Sequence, residues 1–349
     1  MKFSKFTAIA FIGSIAITSF AGDYTAPKEI VTDHPTDGWD SHRPDSHAPI
    51  GVMGEHTHEK GEVMLSYRYM YMDMRPNFIG STEVTPQQSL AAGFLITPTN
   101  MRTESHMVGA MIGATDDLTL GFMLPHIDKS MDHLVATGAT FNTQVSGIGD
   151  FKFGGLLDFW EKGTQKAHLN LMVSAPTGSI TDTDFVPPAG GPVRLPYPMQ
   201  LGSGSWDVLP GVTYLGQQGD ISWGAQLLGT IRLEDNDQGY QFGNEMTANS
   251  WVAYRLSDRL STSLRVTGKS WGDVEGSDPL IGGPVPTARP DLRGGSRLDV
   301  FGGINYNFRN GFLNGHRLAV EAGRSVYENL DGPQLGMDWM MTVGWQKAF

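Results

Sequence analysis

The sequence predicts an all-β fold: an antiparallel transmembrane β-barrel of about 12 strands, preceded by an irregular N-terminal segment. Three observations carry this. Segments of about 11 to 14 residues alternate with period two, as strands with two different faces do. Short and long connections between them take turns, the pattern of barrels with short periplasmic turns and long outer loops. After the N-terminal leader, no run reaches the roughly 18 apolar residues that a spanning helix requires.

The leader is "MKFSKFTAIAFIGSIAITSFAGDYT". Lys2 and Lys5 precede an apolar stretch, and Ser19-Phe20-Ala21 forms a small-x-small cleavage site, so residues 1–21 are expected to be a secretory signal peptide. Losing both lysines takes the formal charge from −12 to −14. An acidic, exported chain is not expected to bind nucleic acid. It has no cysteine, so packing, closure or lipid must supply its stability rather than disulfides.

Residues 22–60 hold proline, glycine, aspartate and histidine with no strand period. They are expected either to hang in the periplasm or to fold back into the barrel as a plug. Residues 61–349 form the barrel. The strand segments fall at roughly 62–74, 102–114, 117–127, 147–160, 166–176, 206–217, 220–232, 244–256, 259–271, 296–308, 315–326 and 337–349. In "ISWGAQLLGTIR" Ile221, Trp223, Leu227 and Ile231 share one face and Ser222, Gln226, Thr230 and Arg232 the other. An even strand number puts both termini in the periplasm of a bacterial outer membrane.

The first segment, "YRYMYMDM", fixes an orientation. Arg68 cannot face lipid cheaply, at ~2–4 kcal/mol near the midplane, so its face is the lumen. Met64, Met70, Met72 and Met74 share that face. Applied to the next two segments, the same test turns Met101, Met107, Met111 and Met123 inward. The predicted solute-lining set is therefore Met64, Arg68, Met70, Met72, Met74, Met101, Met107, Met111 and Met123. Tyr71, near the outer end, is expected in an interfacial aromatic girdle.

Eight of the ten histidines and ten of the seventeen methionines lie between residues 34 and 133. Thioether sulfur suits Cu(I), and imidazole suits Cu(II), Zn or Ni. The sharpest local piece is "GVMGEHTHEKG", where Met53, His56 and His58 are the candidate metal ligands. His-x-His puts two imidazoles on one side of an extended chain. Packing is the competing account of the methionines, and no cofactor is required; copper is the one that the Met and His set would allow. No catalytic residues are identified: "PHIDKSMDH" has no partner at a catalytic spacing. The acidic "EDNDQG" lacks the closing glutamate of a calcium loop.

"SGIGDFKFGG" (146–155), "NLMVSAPTGS" (170–179) and the terminal "MTVGWQKAF" together resemble the outer-membrane transporters grouped as the MetA-type pathway of phenol degradation, in a Met/His-rich form. The resemblance covers most of the chain from Met64 onward. It implies a channel or transporter, not an enzyme, for small aromatic or other poorly polar compounds. The final strand, with Trp339, Met341, Val343 and Trp345 in phase with Phe349, resembles the signature by which the barrel assembly machinery recognises its clients. The expected partners are thus outer-membrane lipid, that machinery, and a small-molecule or metal-ion solute. Handling of copper or another soft metal, and a purely structural barrel, are the alternatives.

Overall fold

The protein was analysed as a computed structural model, which describes residues 38–349. The expected signal peptide, 1–21, lies outside the described residues. The strands are β1 (Val63–Gly80), β2 (Thr82–Val84), β3 (Ile96–Gly113), β4 (Leu118–Val135), β5 (Thr140–Ile148), β6 (Phe151–Lys162), β7 (Gln165–Ala175), β8 (Thr183–Val186), β9 (Gly191–Arg194), β10 (Asp207–Gln218), β11 (Ile221–Arg232), β12 (Tyr240–Gln241), β13 (Glu245–Arg255), β14 (Leu260–Trp271), β15 (Glu275–Gly276), β16 (Gly295–Asn307) and β17 (His316–Ala348).

Eleven of these close an antiparallel ring in the order β1-β3-β4-β6-β7-β10-β11-β13-β14-β16-β17, and β17 pairs back onto β1. β2 and β5 lie off the ring, on β1 and β4. β17 enters the ring twice. Its 33 residues would stretch about 109 Å if straight, at roughly 3.3 Å per residue, far longer than its neighbours. Instead Arg317–Leu330 pairs with β16 and Leu330–Ala348 with β1. The two halves lie side by side: Arg317 donates to Gln346, and Trp345 Nε1 donates to His316 Nδ1 at 2.8 Å. The wall therefore has the expected twelve staves.

Its burial is inside-out relative to a soluble sandwich. On β7, His168, Asn170 and Ser174 are buried while Leu169 and Leu171 are exposed; on β11, Ser222 and Gln226 are buried while Ile221, Leu227 and Ile231 are exposed. Polar side chains turned inward and leucines turned outward make sense only if the outer solvent is lipid. Two short turns use glycine where the backbone must be left-handed: Gly163 (φ 57°) and Gly219 (φ 56°) each open a two-residue hairpin loop.

One sector departs from expectation. β1 runs on to Gly80, β3 begins at Ile96, and β4 continues to Val135, so stretches expected as the long connections 75–101 and 128–146 are partly strand. The outward face of β3 explains the miss. It passes from Ile112, Ala110 and Val108 to His106, Glu104 and Arg102, so polar–apolar contrast vanishes where the wall leaves lipid. Tyr67 and Tyr69 mark the change, with their hydroxyls 2.7 Å from His106 Nδ1 and 2.8 Å from Glu104 Oε2. Tyr71 stacks on Trp339 across the seam, ring centroids 4.9 Å apart.

Candidate functional site

The segment before β1 runs inside the ring, because it touches buried side chains on strands all around it. Gln217 (β10) donates to Asp40 O at 3.0 Å, Ser222 (β11) to Asp45 O, Ser261 (β14) to Pro44 O at 2.8 Å, and Arg317 (β17) to Ala48 O at 2.8 Å. Gly54 O accepts from Asn170 on β7 at 2.6 Å, and Thr119 on β4 accepts from His58 N at 2.8 Å. Gly51 N donates to Glu321 at 3.0 Å, beside a bidentate Arg265–Glu321 pair with both bonds at 2.8 Å. The described residues of this segment, from 38 onward, lie inside the ring as a plug-like run. They fill the end of the ring where the short turns lie, with Val63 N bonded to Phe349 O. Close approach depends on missing side chains at two points: a Cβ on Gly344 would collide with Ile50, and one on Gly113 with the Glu59 carbonyl.

Within the plug, three imidazoles gather. His47 and His56 both place Nδ1 on Glu55 Oε1, at 3.1 and 2.8 Å, and His58 Nδ1 lies 3.1 Å from Glu62 Oε2. Ring centroids are 4.5 Å apart for His47–His56 and 4.7 Å for His56–His58. The Nε2 atoms of His56 and His58 are buried without a partner. Burial lowers the His47 pKa and takes His56 down to about 3, so both rings are neutral near pH 7. Burial opposes ionisation of Glu55, but the two histidines bonded to it hold its carboxyl well below the usual range. Of the sequence-derived ligands Met53, His56 and His58, the structure brings the two histidines together and points Met53 elsewhere: its Sδ lies 2.6 Å from Arg68 Nη1. His47, separated by a turn, was not among those ligands; Ser46 N bonding back to Arg43 O is the local feature that swings it in.

The nine residues assigned to the solute path divide by height. Met64 and Arg68 are buried at plug level, cross-strand from Met111 and Met107. Met123 lies at that same level, since it pairs with Gly109 and Gly109 with Ser66; Met107 is buried, Met111 and Met123 are half-buried, and the half-buried Met70 and Met72 follow farther along β1. Met74 and Met101 are direct cross-strand partners and join Met131, Leu195, Met199, Leu201 and Leu335 in an apolar cluster. Leu195–Leu201 come from the β9–β10 connection, folded inward and pinned by the Arg194–Asp278 ion pair at 2.8 Å. Across the seam, Met340 and Met337 pair with Met72 and Met74, which sequence reading missed because they lie some 265 residues away.

Opposite the methionines stands a charged wall. Arg232 pairs with Asp207, and Glu245 lies 3.4 Å from Arg232 and 2.7 Å from Lys269 Nζ. At the long-loop end a cavity of about 220 Å³ opens between β13, β14 and β17 and the folded-in loops, lined by Met74, Phe242, Trp271, Leu335, Met337 and Arg293 among others. Arg293 presents Nε and Nη2 there, buried and unpartnered.

Ring closure, lipid-facing leucines and a threaded polar lumen define an outer-membrane β-barrel. The chain belongs to the family described as "Putative MetA-pathway of phenol degradation", whose model matches residues 75–314. It is similar in fold to an outer membrane channel from Pseudomonas putida F1, at TM-score 0.59 and 16% identity over 85% of this chain and 98% of that one. A FadL homologue from Pseudomonas aeruginosa (TM-score 0.40, 11% identity, 82% and 90% covered) and the transport unit of the autotransporter AIDA-I from Escherichia coli (TM-score 0.46, 8% identity, 85% and 93% covered) also align. No curated protein matches the sequence.

Proposed function

We propose that the protein is an outer-membrane channel for a small, mostly apolar solute, held shut at its periplasmic end by residues 38–61 and bearing a solute site at its outer end. In this reading the short turns and the strand ends joined by them face the periplasm, as in barrels with short periplasmic turns. One observation carries the reading: a cavity of about 220 Å³, lined by apolar side chains and also by Arg293, Arg297, Glu245 and Glu328, lies above a polar plug within a single ring. Trp271, Phe242, Met74 and Met337 supply apolar contact area, and the unpartnered Arg293 guanidinium would take a carboxylate or phenolate oxygen on the solute. Small aromatic acids satisfy both. No group in this site is asked to do chemistry. Exposed Phe349 at the end of the last strand supports recognition by the barrel assembly machinery.

The absence of cysteine makes a direct test simple. Ile50→Cys with Gly344→Cys would tie the plug to β17, since these positions are in contact. In planar bilayers the oxidised variant is expected to conduct less than its reduced form, and reduction should restore flux of benzoate in liposome swelling. Equal flux before and after reduction, with the disulfide confirmed by mass, would remove the plug from the transport path and overturn the reading.

A further inference from the structure

The imidazole cluster on the plug has the arrangement of a metal site, and this stands apart from the channel reading. In metal centres built on histidine, the ring nitrogen that does not bind the ion commonly donates to a carboxylate, which fixes the tautomer and aims the other nitrogen. That pattern occurs here three times within one small volume. Glu55 holds Nδ1 of His47 and of His56, and Glu62 holds Nδ1 of His58. Each Nε2 is thereby left as a lone-pair donor. For His56 and His58, which are 7% and 5% exposed, that lone pair is buried and meets no partner in the protein. Leaving such acceptors unpaired costs free energy that a bound ion would recover. His47, Glu55 and His56 also offer donor atoms within 4.8 Å of one another.

The surrounding charge narrows the ion. Two guanidiniums act on Glu55: Arg317 Nη1 is 3.9 Å from its Oε1, and Arg68, bonded to Met53, also feels its charge. With Glu55 countered by arginine, the site has little carboxylate charge to spare for hard cations such as Ca²⁺ and Mg²⁺. Imidazole nitrogens instead favour a borderline transition-metal ion that gains from coordination itself. The nearest thioether, Met53, is turned to Arg68, so the donors are imidazole nitrogens rather than sulfur, which argues against Cu(I).

We propose that His47, His56 and His58, with Glu55 and Glu62 orienting them, bind one Zn²⁺- or Cu²⁺-class ion inside the plug. Binding would staple the turn carrying His47 to the strand-like run 56–58 and so stiffen the segment that closes the ring. The test uses the full-length, tag-free protein in detergent, titrated with Cu²⁺ against a competing chelator and followed by electron paramagnetic resonance. One equivalent should bind, with splitting from several nitrogens. His56→Ala and His58→Ala should each weaken binding at least tenfold, whereas His42→Ala, a change at an exposed histidine of the same segment, should not. Unchanged binding in the double variant, no stoichiometric binding, or uptake of Ag⁺ in place of Cu²⁺ would overturn the proposal. If the variants fail to fold, the parent protein still answers: Zn²⁺ should protect His47, His56 and His58, but not His42, from diethylpyrocarbonate, and uniform labelling with and without Zn²⁺ would sink it.

Discussion

Single residues inside this lumen act through the company they keep. Arg265 and Glu321 are 4% and 2% exposed and make two bonds to each other, with Asn249, Thr267 and the plug's Gly51 completing the set. Replacing Glu321 with alanine strands a buried guanidinium and removes a plug anchor. The expected loss is about 3–5 kcal/mol, measurable as a shift in urea unfolding in vesicles. Asp220 pairs with Arg255 at 2.6 Å on an exposed turn; there Asp220→Asn should cost under about 1 kcal/mol. Equal effects from the two substitutions would contradict this assignment of buried and exposed pairs. Gly344 works by what it lacks: Gly344→Val is expected to push Ile50 away and speed limited proteolysis between residues 38 and 61, with the barrel itself resistant.

At the level of elements, the outward face of β3 separates a lipid zone from a watered one. Val108→Lys places a charge in the apolar band, where ~2–4 kcal/mol is expected. Ser130→Lys lies on the extension of β4, cross-strand from Arg102, and should fold with little change. Heat-modifiability on gels and urea midpoints would compare the two, and a similar penalty for both would mean that lipid reaches the extension. The same division explains what could be read in advance. Wherever one face of a strand met lipid and the other met the lumen, as on β7, β11 and β14, alternation located it to within a residue or two. Above the bilayer the outward face of β3 turns polar while Met101 and Met131 are buried on the inward face, so alternation no longer has the sense that lipid gives it. The burial of Arg68 followed from one charge that lipid would not accept. The surroundings of His56 did not, because the bend that brings His47 round and the strands whose Arg317 lies by Glu55 and whose Asn170 holds the Gly54 carbonyl are distant in sequence from it.

For the molecule as a whole, the inner space is divided into a polar floor, a waist with thioethers facing charges, and an apolar roof formed by Leu195–Leu201 and the Tyr197, Tyr240, Val274 and Ile281 cluster. Truncating residues 38–60 while keeping β1 intact should raise single-channel conductance severalfold, and a truncated barrel that is folded yet as silent as its parent would place the barrier in the roof instead. The seam between first and last staves adds a consequence for biogenesis. The plug lies immediately upstream of β1, and three of its partners, Arg317, Glu321 and Gly344, lie on β17, the last strand of the ring. The two halves of β17 complete the ring only by pairing with β1 and β16. These plug contacts therefore cannot exist until the first and last strands meet, which makes a fully seated plug a chemical record that the ring has closed.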